Sequence, residues 1–165
     1  MKNLSFYTAL GLSFVLMATT ACSSSTDTKQ EPSNVDVTPI INTAKQGTWK
    51  VTKYTDHGDD KLSNFEGYNF TFGPNDVLTA TNGTKTHTGE WVISTTAIAP
   101  WQSVADQSPN DPVDFNIHFP DTESSNFTDI NDDWDRVNMT DTKMEFIDVS
   151  ATPGKVPDYI TFERN

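Results

Sequence analysis

The most reactive side chain in the sequence is a single thiol, that of Cys22. A lone cysteine cannot form an internal disulfide, so the folded part of the chain must be held together by its core. The thiol follows an apolar segment and precedes the hydroxyl-rich run "SSSTD", where no core would surround it. We therefore interpret Cys22 as an attachment site and not as a buried structural cysteine.

The segment before Cys22 has the features of an export signal. Lys2 supplies a positive start, residues 4–17 are almost uninterrupted apolar side chains, and residues 18–21 are small. The apolar run is too short for a lasting transmembrane helix. Small side chains suit a peptidase that cleaves on the amino side of the cysteine. We expect residues 1–21 to be a signal peptide and Cys22 to be the first mature residue.

Residues 19–22, "TTAC", resemble a bacterial lipobox, the motif at which lipoproteins are acylated on the cysteine sulfur. The resemblance implies a fatty acid of the palmitate type on Cys22. It also implies attachment to the cell envelope, expected at the outer membrane on its periplasmic or exposed side. Two or more acyl chains give a stable anchor, whereas one is marginal.

The charge of the chain limits its other partners. The formal net charge is -12, and residues 1–21 contain one lysine and no acidic residue, so removing them gives -13. Such a chain repels nucleic acid and anionic membrane surfaces. We expect no nucleic-acid partner, a monomeric domain, and membrane attachment through the lipid alone. Residues 22–45 are rich in Ser, Thr, Asn, Asp and Pro and are predicted to be a flexible tether of about 25 Å.

The remaining candidates for chemistry do not form a catalytic pattern. His57, His87 and His118 are spread over a turn and two strands, with no partnered nucleophile. His87 has the parity of an inward residue, and we interpret it as a hydrogen-bonded structural histidine. We predict that the protein is not an enzyme and needs no cofactor.

The acidic run "DINDDWD" places oxygen ligands at Asp129, Asn131, Asp133 and Asp135, as at the start of a calcium loop. However, an EF-hand requires glycine where Trp134 stands and glutamate where Thr140 stands. We interpret the run as a solvated turn that leads into a strand, with no metal.

From residue 46 onward, short alternating runs of β-branched and aromatic residues predict an all-β domain. Eight strands are predicted, from the runs "GTWKVTKY", "YNFTF", "VLTAT", "KTHTGEWVI", "VDFNIHF", "WDRVNMT", "KMEFIDV" and "DYITFER". Local connections favour an eight-stranded antiparallel up-and-down barrel over residues 46–165. A two-sheet β-sandwich is the alternative, because the long loop at 94–112 could hide a crossover.

The run "GTW" at residues 47–49 resembles the G-x-W signature that opens the first strand of lipocalins, and Arg164 in the last strand matches that family's basic residue. With the strand order above, residues 46–165 resemble the lipocalin-like lipoproteins of Bacteroidetes-type bacteria. The resemblance implies that Gly47, Trp49 and Arg164 close the barrel, with the guanidinium covering the indole.

The resemblance also implies an interior site for a small apolar molecule. Its predicted ligand contacts are Tyr68, Phe70, Trp91, Phe115 and, in the long loop, Trp101. Side chains this bulky could instead fill the barrel. Two functions are therefore weighed: a lipid-anchored binder of a small apolar ligand, and a surface interaction module for an envelope protein or glycan.

Overall fold

A computed structural model describes residues 35–95 and 113–165, apart from residues 151 and 153. A helix comes first among the described elements, and nine strands follow it. The strands are β1 (Trp49–Asp56), β2 (Asp59–Asp60), β3 (Asn69–Phe72), β4 (Val77–Thr81), β5 (Thr86–Ser94), β6 (Asp114–His118), β7 (Asp132–Met139), β8 (Lys143–Asp148) and β9 (Asp158–Arg164). The helical elements are α1 (Thr38–Ala44), a 3₁₀ helix (Leu62–Phe65) and α2 (Ser125–Thr128).

Eight of these strands form a closed barrel. From β3 to β9 each strand pairs with the next, and both β3 and β9 pair with β1. Every pairing is antiparallel. The two-residue strand β2 pairs with the last residues of β1 and stands outside the ring of eight. The predicted eight-stranded barrel is confirmed, and the β-sandwich alternative is excluded because the first and last long strands are hydrogen-bonded neighbours.

Aromatic side chains fill the interior of the barrel. The ring of Phe72 lies 5.4 Å from that of Trp91, 5.3 Å from that of Phe115 and 5.5 Å from that of Phe162, all in edge-to-face contacts. Edge-to-face packing is a favourable arrangement of aromatic pairs. These four side chains are at most 2 % exposed. The lumen is therefore a packed core.

The first and last strands meet at Trp49, which pairs with Arg164 in the sheet. The guanidinium carbon lies 5.0 Å from the centroid of the Trp49 ring. Gly47 has a φ of +83°, which suits glycine, and a Cβ there would lie 3.8 Å from Arg164 Cδ. Arg164 Nε and Nη2 are buried without a hydrogen-bond partner among the described atoms, so the aromatic face is the contact that compensates them. The three residues predicted to close the barrel lie together.

Helix α1 corrects the predicted domain boundary. Residues 38–44 lie in the segment predicted to be a tether, yet Ile40 and Ala44 are buried against the barrel. Trp49 Nε1 donates to the carbonyl of Ala44 at 2.9 Å. The ordered domain therefore begins before residue 46. Seven residues make two turns, which is too short for the sequence to show a helical period.

The opposite end of the barrel is closed by two short helical segments. Phe65 of the 3₁₀ helix packs 5.3 Å from Tyr54 and 5.5 Å from Phe127 of α2. The Phe127 ring also lies 5.1 Å from Phe119. Tyr54 Oη donates to the carbonyl of Asp129 at 2.6 Å, which holds the α2 segment over the end. Both ends of the barrel are thus covered by protein.

Several sequence predictions lie outside the described residues. They are the signal peptide at residues 1–21, the start of the tether with Cys22, and Trp101 in the long loop. Among residues 35–95 and 113–165, no helix has the length and hydropathy needed to cross a membrane.

The closing contact predicts a stability effect. Arg164→Ala should lower the free energy of unfolding by about 1–2 kcal/mol, because it removes a partly desolvated cation–π contact and the apolar stem that covers the ring. Urea unfolding followed by far-UV circular dichroism measures this change. Lys85→Ala, in the exposed β4–β5 turn, is the control and should change stability by less than about 0.5 kcal/mol. Equal effects of the two variants would contradict the role assigned to Arg164.

Candidate functional site

The residues predicted to contact a ligand are separated by the structure. Phe70, Trp91 and Phe115 are 0 %, 2 % and 1 % exposed and pack inside the barrel. Tyr68 is half-buried where the chain enters β3. Of these four side chains, only Tyr68 lines the described cavity. The described cavity therefore lies at the wall of the barrel and not in its lumen.

The wall is incomplete between β1 and β3. The two strands pair at one position, Trp49 with Phe70. β3 begins only at Asn69, and the turn before it contains Gly67, whose φ of +79° suits glycine. On that side of β1, the next backbone contact is the Lys61 N–H donating to the Tyr54 carbonyl at 3.0 Å. The strands therefore diverge and leave an opening, which we call the seam groove.

The seam groove is a cavity of about 670 Å³ beside the 3₁₀ helix. This volume lies within the range typical of small-molecule sites, roughly 300–1,000 Å³. Its lining combines apolar side chains with a charged rim, and consists of Lys50, Val51, Thr52, Asp60, Leu62, Ser63, Phe65, Glu66, Gly67 and Tyr68. An apolar interior with a few polar groups at its edge suits an amphipathic molecule.

Local contacts hold the walls of the groove in place. Asp60 Oδ1 accepts the N–H of Leu62, the first residue of the 3₁₀ helix, at 2.9 Å. Phe65 anchors the other end of this helix, because its ring packs on Tyr54 and, at 6.0 Å, on Phe70. The groove is therefore preformed.

A series of polar contacts connects Tyr68 to the end of the barrel that α2 covers. Tyr68 Oη and His87 Nε2 are 3.3 Å apart, and His87 Nδ1 and Glu123 Oε2 are 2.5 Å apart. The imidazole stacks on Phe127 with 3.9 Å between ring centroids. These contacts agree with the interpretation of His87 as a hydrogen-bonded structural residue.

A second histidine belongs to a cluster with ligand-type atoms. The side chains of Asp56, His57 and Asp158 bring three such atoms within 4.8 Å of one another. His57 Nδ1 is hydrogen-bonded to Asp56 Oδ1, and the backbone N–H of His57 donates to Asp158 Oδ1 at 2.5 Å. These hydrogen bonds hold the turn between β1 and β2 in place, which explains why the three side chains lie close together.

The acidic run at residues 129–135 is the predicted turn only in its first half, where Asp129 is exposed. Its second half belongs to β7, where alternate side chains point to opposite faces. Trp134 is 1 % exposed inside the barrel, and Asp135 is 7 % exposed on the other face. The pattern of four oxygen-bearing residues is therefore divided between a turn and a strand.

The outer face of β6 is covered. Asp114 and Asn116 lie on that face and are 6 % and 1 % exposed. Asn116 Nδ2 donates to the carbonyl of Val92 at 3.3 Å. The alternation of the sequence predicts the face of a strand correctly, but it does not reveal whether that face is covered.

Carboxylates gather at the end of the barrel that holds Tyr54. Burial, followed by the nearby charge of Asp148, raises the pKa of Asp132 to about 8. Burial, followed by the charge of Asp56, raises the pKa of the Tyr54 hydroxyl. This end therefore carries an acidic cluster in which one carboxyl retains its proton at neutral pH.

Comparisons with known proteins leave the family open. The chain matches no protein-family model, and it has no significant match among the curated proteins or the solved structures that were searched. The resemblance to lipocalin-like lipoproteins therefore stays a prediction.

The raised pKa predicts a stability change for Asp132→Asn. Between the ordinary pKa of 3.8 and the folded value of about 8, the folded state keeps a proton that the unfolded chain has released. The stability contributed by the protonated carboxyl is present below about pH 4 and is lost as the pH rises towards 8. The advantage of Asp132→Asn over the wild type should therefore grow across this interval, by at most about 1.4 kcal/mol per pH unit.

Urea unfolding at about pH 5, 7 and 9 measures this difference. Asp141→Asn, in the exposed turn between β7 and β8, controls for the loss of one negative charge. A difference between Asp132→Asn and the wild type that does not vary with pH would show that the buried carboxyl is not protonated.

Proposed function

We propose that this protein is a lipid-anchored lipoprotein of the cell envelope whose barrel domain binds a small amphipathic molecule. The observation that carries the binding role is the seam groove, a preformed cavity of about 670 Å³ with apolar walls and a charged rim. The acyl chains on Cys22 are the proposed membrane attachment, and the outer membrane is the proposed location.

The groove is a better binding site than the lumen for a physical reason. A ligand inside the barrel would have to displace several of the rings that are fully buried there. Displacing a buried Phe side chain costs roughly 1.5–3 kcal/mol in lost burial alone. The groove requires no such displacement. We therefore assign the predicted ligand to the wall, where Tyr68 is the residue shared with the sequence prediction.

The lipid-anchor part of the proposal is supported by the sequence before residue 46. An apolar segment, small residues and a single cysteine stand in the order that lipoprotein processing uses. The acidic character of the chain adds support, because a negatively charged domain gains no attraction to anionic lipid headgroups. Lipid on Cys22 would then be the attachment.

A bulky side chain placed in the seam groove tests whether the groove binds the ligand. Ser63 lines the cavity and is exposed, so Ser63→Trp places an indole in the groove without disturbing the core. We expect this variant to weaken binding of the neutral fluorescent probe N-phenyl-1-naphthylamine by at least about tenfold, or about 1.4 kcal/mol. Fluorescence titration of the purified full chain measures the change.

Thr84→Trp is the matched control, because it adds the same indole at an exposed position in the β4–β5 turn. It should leave the affinity for the probe unchanged. If Ser63→Trp and the wild type bind the probe equally, the ligand site is not the seam groove.

The anchor has its own test. Cys22→Ala should abolish the incorporation of labelled palmitate and release the protein from the membrane fraction of cells. Ser23→Ala, one residue further on, retains the thiol and should be labelled like the wild type. Labelling that survives in Cys22→Ala would refute acylation at this residue.

A further inference from the structure

One wall of the seam groove is the edge of a β-strand. On the side facing the groove, β1 has a strand partner at Trp49, through β3, and again from Thr55, through β2. Between these positions the described structure gives β1 no strand partner on that side. A strand edge presents backbone donors and acceptors that can pair with another extended chain.

The pairing of β1 with β9 fixes the direction of the peptide groups in β1. The Asn165 N–H donates to the Thr48 carbonyl at 2.9 Å, so the Thr48 carbonyl faces β9. The backbone N–H and C=O groups of successive residues in a strand point to alternate sides. Those of Trp49 therefore point to β3, those of Lys50 to β9 and those of Val51 to the groove. Val51 is also one of the residues that line the cavity. Its N–H and C=O are therefore directed into the groove.

The edge is short and irregular, which limits what can pair with it. Its unpaired part lies between Trp49, which pairs with β3, and Tyr54, whose carbonyl accepts the Lys61 N–H. A register shift between Val51 and Lys53 also marks a bulge in β1. Bulges and lysines on an edge strand oppose pairing with a long, regular strand. The edge therefore suits a short extended segment better than a strand of a second copy.

The charged rim indicates which side chains such a segment would carry. Asp60 and Glu66 contribute two negative charges to the lining, and Lys50 contributes one positive charge. The protein as a whole has a net charge of -12. A basic side chain at the rim and apolar side chains toward Val51, Leu62 and Phe65 would be complementary to these surfaces.

We propose that the ligand of the seam groove is a short, extended, basic peptide segment that pairs with β1 at Val51. This inference rests on the proposed function, because it names the ligand class of the same groove. Backbone pairing would supply affinity, and the groove would select apolar side chains that alternate with basic ones.

The test uses the pentapeptide Val-Lys-Val-Lys-Val, labelled with a fluorophore and blocked at both ends, with the full chain. We expect it to bind and to displace N-phenyl-1-naphthylamine. An analogue methylated on every backbone nitrogen keeps the side chains and charges but cannot donate to β1, and it should bind at least about tenfold more weakly. An analogue with Glu in place of Lys should also bind more weakly. Fluorescence anisotropy measures all three.

The protein variants separate this inference from the proposed function. Ser63→Trp should weaken the binding of the pentapeptide, and Thr84→Trp should leave it unchanged. If the probe binds in the groove but the pentapeptide does not displace it, the peptide inference is overturned and the proposed function stands. If neither binds, both are overturned. Equal binding of the methylated analogue would overturn pairing with the strand edge.

If a second copy of this chain occupied the groove, the protein would form a dimer in solution. Sedimentation velocity of the wild type should show a monomer at micromolar concentration. A dimer that Ser63→Trp dissociates would assign the edge to a second copy and overturn the inference.

Discussion

The contact between the Arg164 guanidinium and the Trp49 ring marks the point on which the whole barrel depends. It lies where the first and last long strands pair, and that pairing turns one face of the sheet into an interior. The indole N–H is used at the same point, because it donates to the end of α1 and so attaches the helix to the barrel. Apolar alternation gives each strand a side to bury, but only closure gives all eight sides a common interior.

Once the sheet is closed, side-chain volume decides where a ligand can bind. Tryptophan and phenylalanine from most of the strands meet in the middle, and the helical segments at the two ends add further apolar side chains. A barrel of eight strands has room either for such side chains or for one small ligand. Here the side chains occupy that room. Open space is instead found in the wall, where the 3₁₀ helix takes the chain out of the sheet between β1 and β3.

Much of this fold could be predicted from the sequence, because the information was local. Period-two alternation predicted each of the eight barrel strands, and the pair Trp49 and Arg164 suggested how they close. Helices α1 and α2 were missed, since seven and four residues are too few to establish a period. The burial of Asp114 and Asn116 could not be predicted, because it depends on packing outside the strand that carries them. The groove depends on where pairing between β1 and β3 stops, which is a property of two segments together. Gly67 was its one local signal.

The way β1 is held has a consequence for the order in which the protein can fold. β1 is the first strand of the barrel, yet its pairing with β3 is limited to one position, and most of its ladder is made with β9. These partners are more than a hundred residues apart in the chain. β1 therefore gains its main partner only after β9 has been synthesised. Contacts of such large sequence separation are associated with slow folding, so we expect a nascent chain to close its barrel only once β9 has emerged from the ribosome.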